Sequence, residues 1–137
     1  MGSVLVQWKA PSFREGLFTS VNLGGGTRSL INPVITWKSE ATFTLWDDCM
    51  CFPELLVRVR RHASISITFL DERGEPQVWD RLGQAESELL QHELDHLDGV
   101  LATDLALDTR SIIERAAYDA DPAFFHQQVD YVIQPTI

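Results

Sequence analysis

The spacing of apolar and polar positions changes along this chain, and the changes mark its elements. From Ala63 to Leu70 the residues alternate, Ala-Ser-Ile-Ser-Ile-Thr-Phe-Leu, the pattern of a strand buried on one face. Asp71-Glu72-Arg73-Gly74 follows as a tight turn and Gln77 to Arg81 returns as a second strand, which predicts a hairpin. Shorter stretches of strand character lie at Leu5–Trp8, Leu17–Val21, Val34–Lys38 and Thr42–Trp46. Asn22 to Thr27 is a turn by composition, because glycine adopts positive φ at no steric cost. Those glycines make a poor phosphate cradle: no Gly-Lys-Ser/Thr follows and no helix starts at Thr27. From Gln84 to Leu97 the period lengthens. Ala85, Leu89, Leu90, Leu94 and Leu97 fall at helical spacing without proline, and Gly99 stands where a glycine ends a helix. A second helix is predicted from Asp108, as its N-cap, to Tyr118, and a short third one starts at Asp121-Pro122. With no repeat or linker, residues 1–137 read as one domain.

Composition and charge narrow the classes. The chain has 137 residues, 45% hydrophobic and 23% charged, enough apolar material for one sizeable core. No apolar run approaches the roughly 18 residues of a membrane helix, and neither a signal peptide nor a basic leader is visible. These features predict a cytoplasmic protein without a membrane partner, or an organellar one if a leader is missing. The net charge of −9 disfavours nucleic acid as a partner, since backbone binding is driven by clustered Lys and Arg. The one basic cluster, Arg58, Arg60 and Arg61, reads as a strand with solvated or ion-paired arginines.

Chemistry concentrates in two places. His92-Glu93-Leu94-Asp95-His96 matches H-E-x-x-H. Residues four apart share a helix face, so two imidazoles can address one ion. Glu93 beside them can take a proton from activated water. A catalytic site of this kind takes three protein ligands. Cys49 and Cys51 are the thiol candidates for the third, and spacing does not choose between them. As a C-x-C pair they lie too close for an ordinary disulfide along a strand, which points to reduced thiols.

Gln91-His92-Glu93-Leu94-Asp95-His96-Leu97-Asp98-Gly99 resembles the third motif of the peptide deformylases, Q-H-E-x-D-H-L-x-G, at every fixed position. Asp47-Asp48-Cys49-Met50-Cys51 resembles their second motif, E-G-C-L-S, and Pro53 stands two residues on. Gly2 and Gln7 keep the second glycine and the glutamine of their first motif, G-x-G-L-A-A-x-Q, at a fitting distance from Ile31-Asn32-Pro33. The resemblance runs from Gly2 to about Leu105. The helical segment that normally precedes the first motif has no counterpart ahead of Gly2.

The resemblance implies an α+β fold, with mixed or antiparallel sheets packed around a central H-E-x-x-H helix and a C-terminal helix. It implies removal of the formyl group from N-formylmethionyl peptides. One ion, Fe²⁺ with Zn²⁺ or Ni²⁺ as substitutes, would be held by Cys49, His92 and His96, with Glu93 as general base. Gln7 and the backbone N–H of Met50 would hold the oxyanion, and an Asp47–Arg61 ion pair would orient the Cys49 segment. Other readings are a deformylase-like amidohydrolase of a small N-formyl or amide substrate, or a non-catalytic metal-binding homologue. A monomer or weak homo-oligomer is expected. Three departures bear on the substrate: Asp48 replaces a glycine, Asp47 is one methylene shorter than glutamate, and Val4-Leu5 stands where the first motif has smaller residues.

Overall fold

The hairpin and helix periods appear in the computed structural model, which describes residues 4–6, 18–22, 26–48 and 52–133. The chain is α+β and divides into two compact units, each drawn from separated stretches: residues 1–41 with 62–99, and residues 42–61 with 100–137.

The first unit is a five-stranded antiparallel sheet in the order β1-β2-β3-β6-β7, with one long helix. Its strands are β1 (Val4–Val6), β2 (Phe18–Asn22), β3 (Thr27–Lys38), β6 (Ile65–Leu70) and β7 (Pro76–Trp79). Asn22 pairs with Thr27, so the glycine-rich stretch joins neighbouring strands. The β6–β7 hairpin turns at Gly74, whose φ of +78° is the conformation glycine adopts freely.

β3 is longer than its sequence suggests because it carries a register shift between Ile31 and Val34. Asn32 sits in the shift at φ +50°, which Asn tolerates better than most residues, followed by Pro33, which has no N–H to donate. A bulge accommodates both within a continuous strand.

Ile65, Ile67 and Phe69 point from β6 into the core, as the alternation requires. Ser66 is buried as well, because its hydroxyl bonds the Asp80 carboxylate at 2.7 Å and accepts the Arg81 N–H at 2.9 Å. The helix α1 (Gln84–Leu97) spans the predicted residues and ends at Gly99, φ +78°. Leu90, Leu94 and Leu97 pack with Val21, Leu30 and the β6 side chains.

The second unit contains a three-stranded sheet in the order β4-β5-β8: β4 (Thr42–Asp47), β5 (Leu55–His62) and β8 (Ile112–Glu114); His62, at the end of β5, belongs to the first unit. It also contains α2 (Arg115–Ala120) and α3 (Pro122–His126). The helix expected over Asp108–Tyr118 is corrected here. Asp108 closes a turn by accepting from the Arg110 N–H and the Ser111 hydroxyl, both at 2.9 Å. Ile112 and Ile113 then pair antiparallel with Val57 and Leu56. Two adjacent β-branched residues favour a pleated edge over a helix, so the helix starts only at Arg115. α3 begins at Pro122 with Asp121 as its cap.

Trp46, Leu56 and Tyr118 form one buried cluster of this unit, with Phe125 edge-on to Trp46. The basic cluster is engaged within the unit. Arg58 reaches Asp108 at 2.8 Å, Arg60 reaches the Thr42 hydroxyl at 3.3 Å, and Arg61 reaches Asp47. Among the described residues no helix is long and apolar enough to cross a membrane.

Candidate metal centre

α1 is buried on more than its apolar stripe: Ser87, Glu88, Gln91, His92 and Glu93 are buried too. Polar groups out of water need partners, and Gln91 supplies several. Its amide nitrogen donates to the carbonyls of His62 and Ser87 at 2.8 and 2.9 Å, and its oxygen accepts the His62 N–H at 2.8 Å. The Ser87 hydroxyl donates to the same His62 carbonyl at 2.9 Å. The peptide groups of His62 and one turn of helix are thereby locked together. This pins the rotation of α1 about its axis, and with it the direction of the residue after Gln91. Sequence reasoning gave neither Ser87 nor His62 a role. The one signal was the place of Gln91 inside the nine-residue motif.

His92 and His96 lie on one face of α1, with ring centroids 4.5 Å apart. Glu93 lies beside both: its carboxylate oxygens are 3.7 Å from His92 Nε2 and 4.0 Å from His96 Nδ1. One donor atom from each of the three falls within 4.8 Å of the others. Imidazole nitrogens bind divalent ions at about 2.0–2.1 Å, so one ion between the two rings suits this geometry. Two borderline imidazole nitrogens also suit a transition metal chemically, and the Glu93 carboxylate lies close enough to them to exchange a proton with a group bound there. His92 and Glu93 are buried and His96 partly so, a setting of reduced dielectric in which charge interactions are strengthened.

In the second unit, Arg61 Nη2 donates to Asp47 Oδ2 at 3.2 Å, and both side chains are almost fully buried, 4% and 2% exposed. Asp48 pairs with Arg115, Oδ2 to Nη2, at 3.7 Å. The non-glycine residues at positive φ among those described are Asn32 and Arg81. Asp48 is not one of them, so aspartate in place of the motif's glycine strains no backbone there. Cys49, Met50 and Cys51, and Gln7 of the first motif, lie outside the described residues.

Two imidazoles and the carboxylate beside them, brought together on α1 by the H-E-x-x-H spacing, form a group that could hold one metal ion. The family model for polypeptide deformylase matches residues 11–111, and the chain belongs to that family. The peptide deformylase of Pseudothermotoga lettingae is 34% identical over 101 residues, 74% of this chain and 58% of that protein. That of Brachyspira hyodysenteriae is 38% identical over 72 residues, 53% of this chain and 38% of that protein. The crystal structure of the Thermotoga maritima peptide deformylase superposes with a TM-score of 0.64 at 31% identity, covering 75% of this chain and 70% of that one. A Synechococcus elongatus peptide deformylase in complex with actinonin gives 0.64 at 26% identity, covering 77% and 56%. The chain spans about half the length of the curated relatives it matches.

Proposed function

We propose that this chain is a metal-dependent hydrolase that removes the formyl group from N-formylmethionyl peptide N-termini. The observation that carries the reading is the His92–Glu93–His96 face of α1, set within nine residues that match the deformylase motif. Family membership supports this substrate class.

His92 and His96 would hold the ion, with Cys49 as the third ligand by its place in the second motif. The expected ion is Fe²⁺, with Zn²⁺ or Ni²⁺ as substitutes. When bound, it supplies Lewis-acid activation of water and of the formyl carbonyl. Glu93, 3.7 and 4.0 Å from the two imidazoles, accepts the proton of the attacking water and delivers it to the departing amine. By their places in the first and second motifs, the Gln7 amide and the Met50 N–H would donate to the oxyanion of the tetrahedral carbon, a service that counts for most where water is excluded. The buried Asp47–Arg61 pair would orient the segment that carries Cys49, two residues on. The protein would work in the cytoplasm as a monomer or weak homo-oligomer.

Asp48 at the motif's glycine and Val4-Leu5 in the first motif favour a second reading, in which the substrate is a small N-formyl compound. One experiment separates the two. The full chain is loaded anaerobically with Fe²⁺ and assayed on formyl-Met peptides and on N-formyl amino acids, beside Glu93→Gln. Turnover of the peptides, lowered about 10²–10⁴-fold by Glu93→Gln at unchanged metal content, supports the first reading. Turnover of the small compounds alone supports the second. A chain that binds no metal overturns both.

A further inference from the structure

Ile65, Ile67 and Phe69 turn one face of β6 toward the core and α1. The residues between them belong to the other face of the first unit's sheet, and strand pairing arranges that face in rows. Val34, Thr68 and Val78 stand opposite one another across β3, β6 and β7. The next row toward the β6–β7 turn is Ile31, Leu70 and Pro76. On the other side of the middle row, Trp37 stands opposite Ser66. Directly paired residues share a face, so the three rows look the same way. The result is an apolar strip open to solvent: Val34 is 56%, Val78 65% and Trp37 38% exposed. An exposed strip of this kind marks a surface that associates.

Charge is unequal along the strip. Just past β7 the chain passes through Arg81 at φ +50°, uncommon for a residue with a side chain. The Arg81 N–H donates to the Ser66 hydroxyl at 2.9 Å, and that hydroxyl donates to Asp80 Oδ1 at 2.7 Å. The bend lays the guanidinium over the Trp37 ring, 5.0 Å from its centroid, a cation–π contact. Trp and Arg are the residues that most often carry binding energy at interfaces. Because the Ser66 hydroxyl is already satisfied, covering this row strands no polar group at Ser66. At the far end lies the β6–β7 turn, where Asp71, Glu72 and Glu75 outnumber Arg73. Arg73 lies 3.9 Å from Asp71 and 3.7 Å from Glu75, so the turn keeps net negative charge. One end of the strip thus offers an exposed cation on an indole and the other an excess of carboxylates.

We propose that two copies of the chain associate through this face, sheet against sheet with strand directions opposed. A two-fold axis across the strands through Thr68 lays the Val34–Thr68–Val78 row over itself. The same rotation sets the Trp37 row over the Ile31–Leu70–Pro76 row of the second copy, and Arg81 over its acidic turn. Each match is made twice, and one surface supplies both halves of it, which is what a closed two-fold contact requires. Sheets pack face to face in this manner about 10 Å apart. The three rows span roughly 13 Å along the strands and 10 Å across them. Such a patch falls short of the ~800 Å² per partner of a stable complex, so the dimer is a weak, reversible one. The proposal goes beyond the reading of hydrolase function and does not rest on it.

Sedimentation velocity of the full chain, from micromolar to millimolar protein, tests this. A concentration-dependent shift from monomer to dimer is expected. Val78→Asp and Trp37→Ala are each expected to weaken the dimer about tenfold or more, with circular dichroism confirming that the variants fold. Arg81→Glu is expected to weaken it about fivefold, and Arg81→Glu with Glu75→Arg to bring it back toward the wild-type value. That recovery is specific to the opposed arrangement, since it requires residue 81 of one copy to meet residue 75 of the other. If Val78→Asp does not fold, Trp37→Ala and the charge-reversal pair decide. A chain that stays monomeric throughout the range overturns the proposal. So does a dimer that Val78→Asp and Trp37→Ala leave intact, because it then forms elsewhere. Growth beyond the dimer overturns it as well, because a two-fold contact closes at two copies. A loss in Arg81→Glu that the double substitution does not recover overturns the opposed arrangement.

Discussion

Asp47 and Arg61 face each other at 3.2 Å with almost no exposure, and at that burial the consequence of losing one partner outweighs the worth of the pair. Two buried charges roughly offset each other's desolvation, whereas one left alone does not. Arg61→Ala is therefore expected to lower unfolding free energy by about 3–5 kcal/mol, read from urea titration. An Arg61→Met/Asp47→Leu double substitution should recover much of the loss. An Arg61→Ala protein of full stability, metal content and activity would end the orienting role. Asp108 shows a milder case at the surface. The Ser111 hydroxyl and then the Arg110 N–H hold its carboxyl below the usual 3.8, with the Arg58 charge adding to them. Because the folded value is lowered, this contribution is present above about pH 4 and is lost as pH falls through the folded value. An NMR titration of the Asp108 carboxyl should show the lowering, and Ser111→Ala should move the midpoint back up.

At the scale of elements, α1 is held by polar contacts as much as by its leucines. Gln91 and Ser87 make four hydrogen bonds to the peptide groups of His62 and Ser87. Gln91→Ala would leave the His62 N–H without its acceptor in a part-buried place. A loss of about 1–3 kcal/mol is expected, and weaker metal binding with it, since the helix would be freer to turn. Differential scanning calorimetry and isothermal titration with Zn²⁺ check the two halves separately; a stability loss with metal affinity untouched would show that Gln91 holds the helix but not its facing. The helical period and the ending glycine made α1 legible residue by residue. The region from Asp108 to Tyr118 was not legible, because its strand exists only through pairing with β5. Three residues carry too little periodicity to outweigh the helix formers beside them.

For the whole molecule, the reading of function makes binding and stability one quantity. An ion that binds only the folded chain stabilises it by about 2.7 kcal/mol at a free concentration one hundred times its Kd. Adding Zn²⁺ to metal-free protein should therefore raise its thermal midpoint. His92→Ala should shrink the increment strongly, because it removes one of the three proposed ligands. A midpoint indifferent to Zn²⁺ in the wild-type chain would count against the metal centre itself.

Residue spacing already set His92 and His96 on one face of α1, because helical geometry brings positions four apart together whatever surrounds them. The sequence by itself also marked the family, since nine consecutive residues hold every fixed position of one motif. The β6–β7 hairpin was equally readable, its alternation and its turn both being local. Tertiary structure alone decided what lies between distant positions: the docking of Gln91 on His62, the strand at Ile112–Glu114, and the approach of Arg115 to Asp48. Each joins residues between 29 and 67 positions apart, or forms only when a neighbouring strand supplies hydrogen-bond partners. Local periodicity holds no record of such partners, because it registers which face of an element is apolar and not what that face, or its polar opposite, will meet.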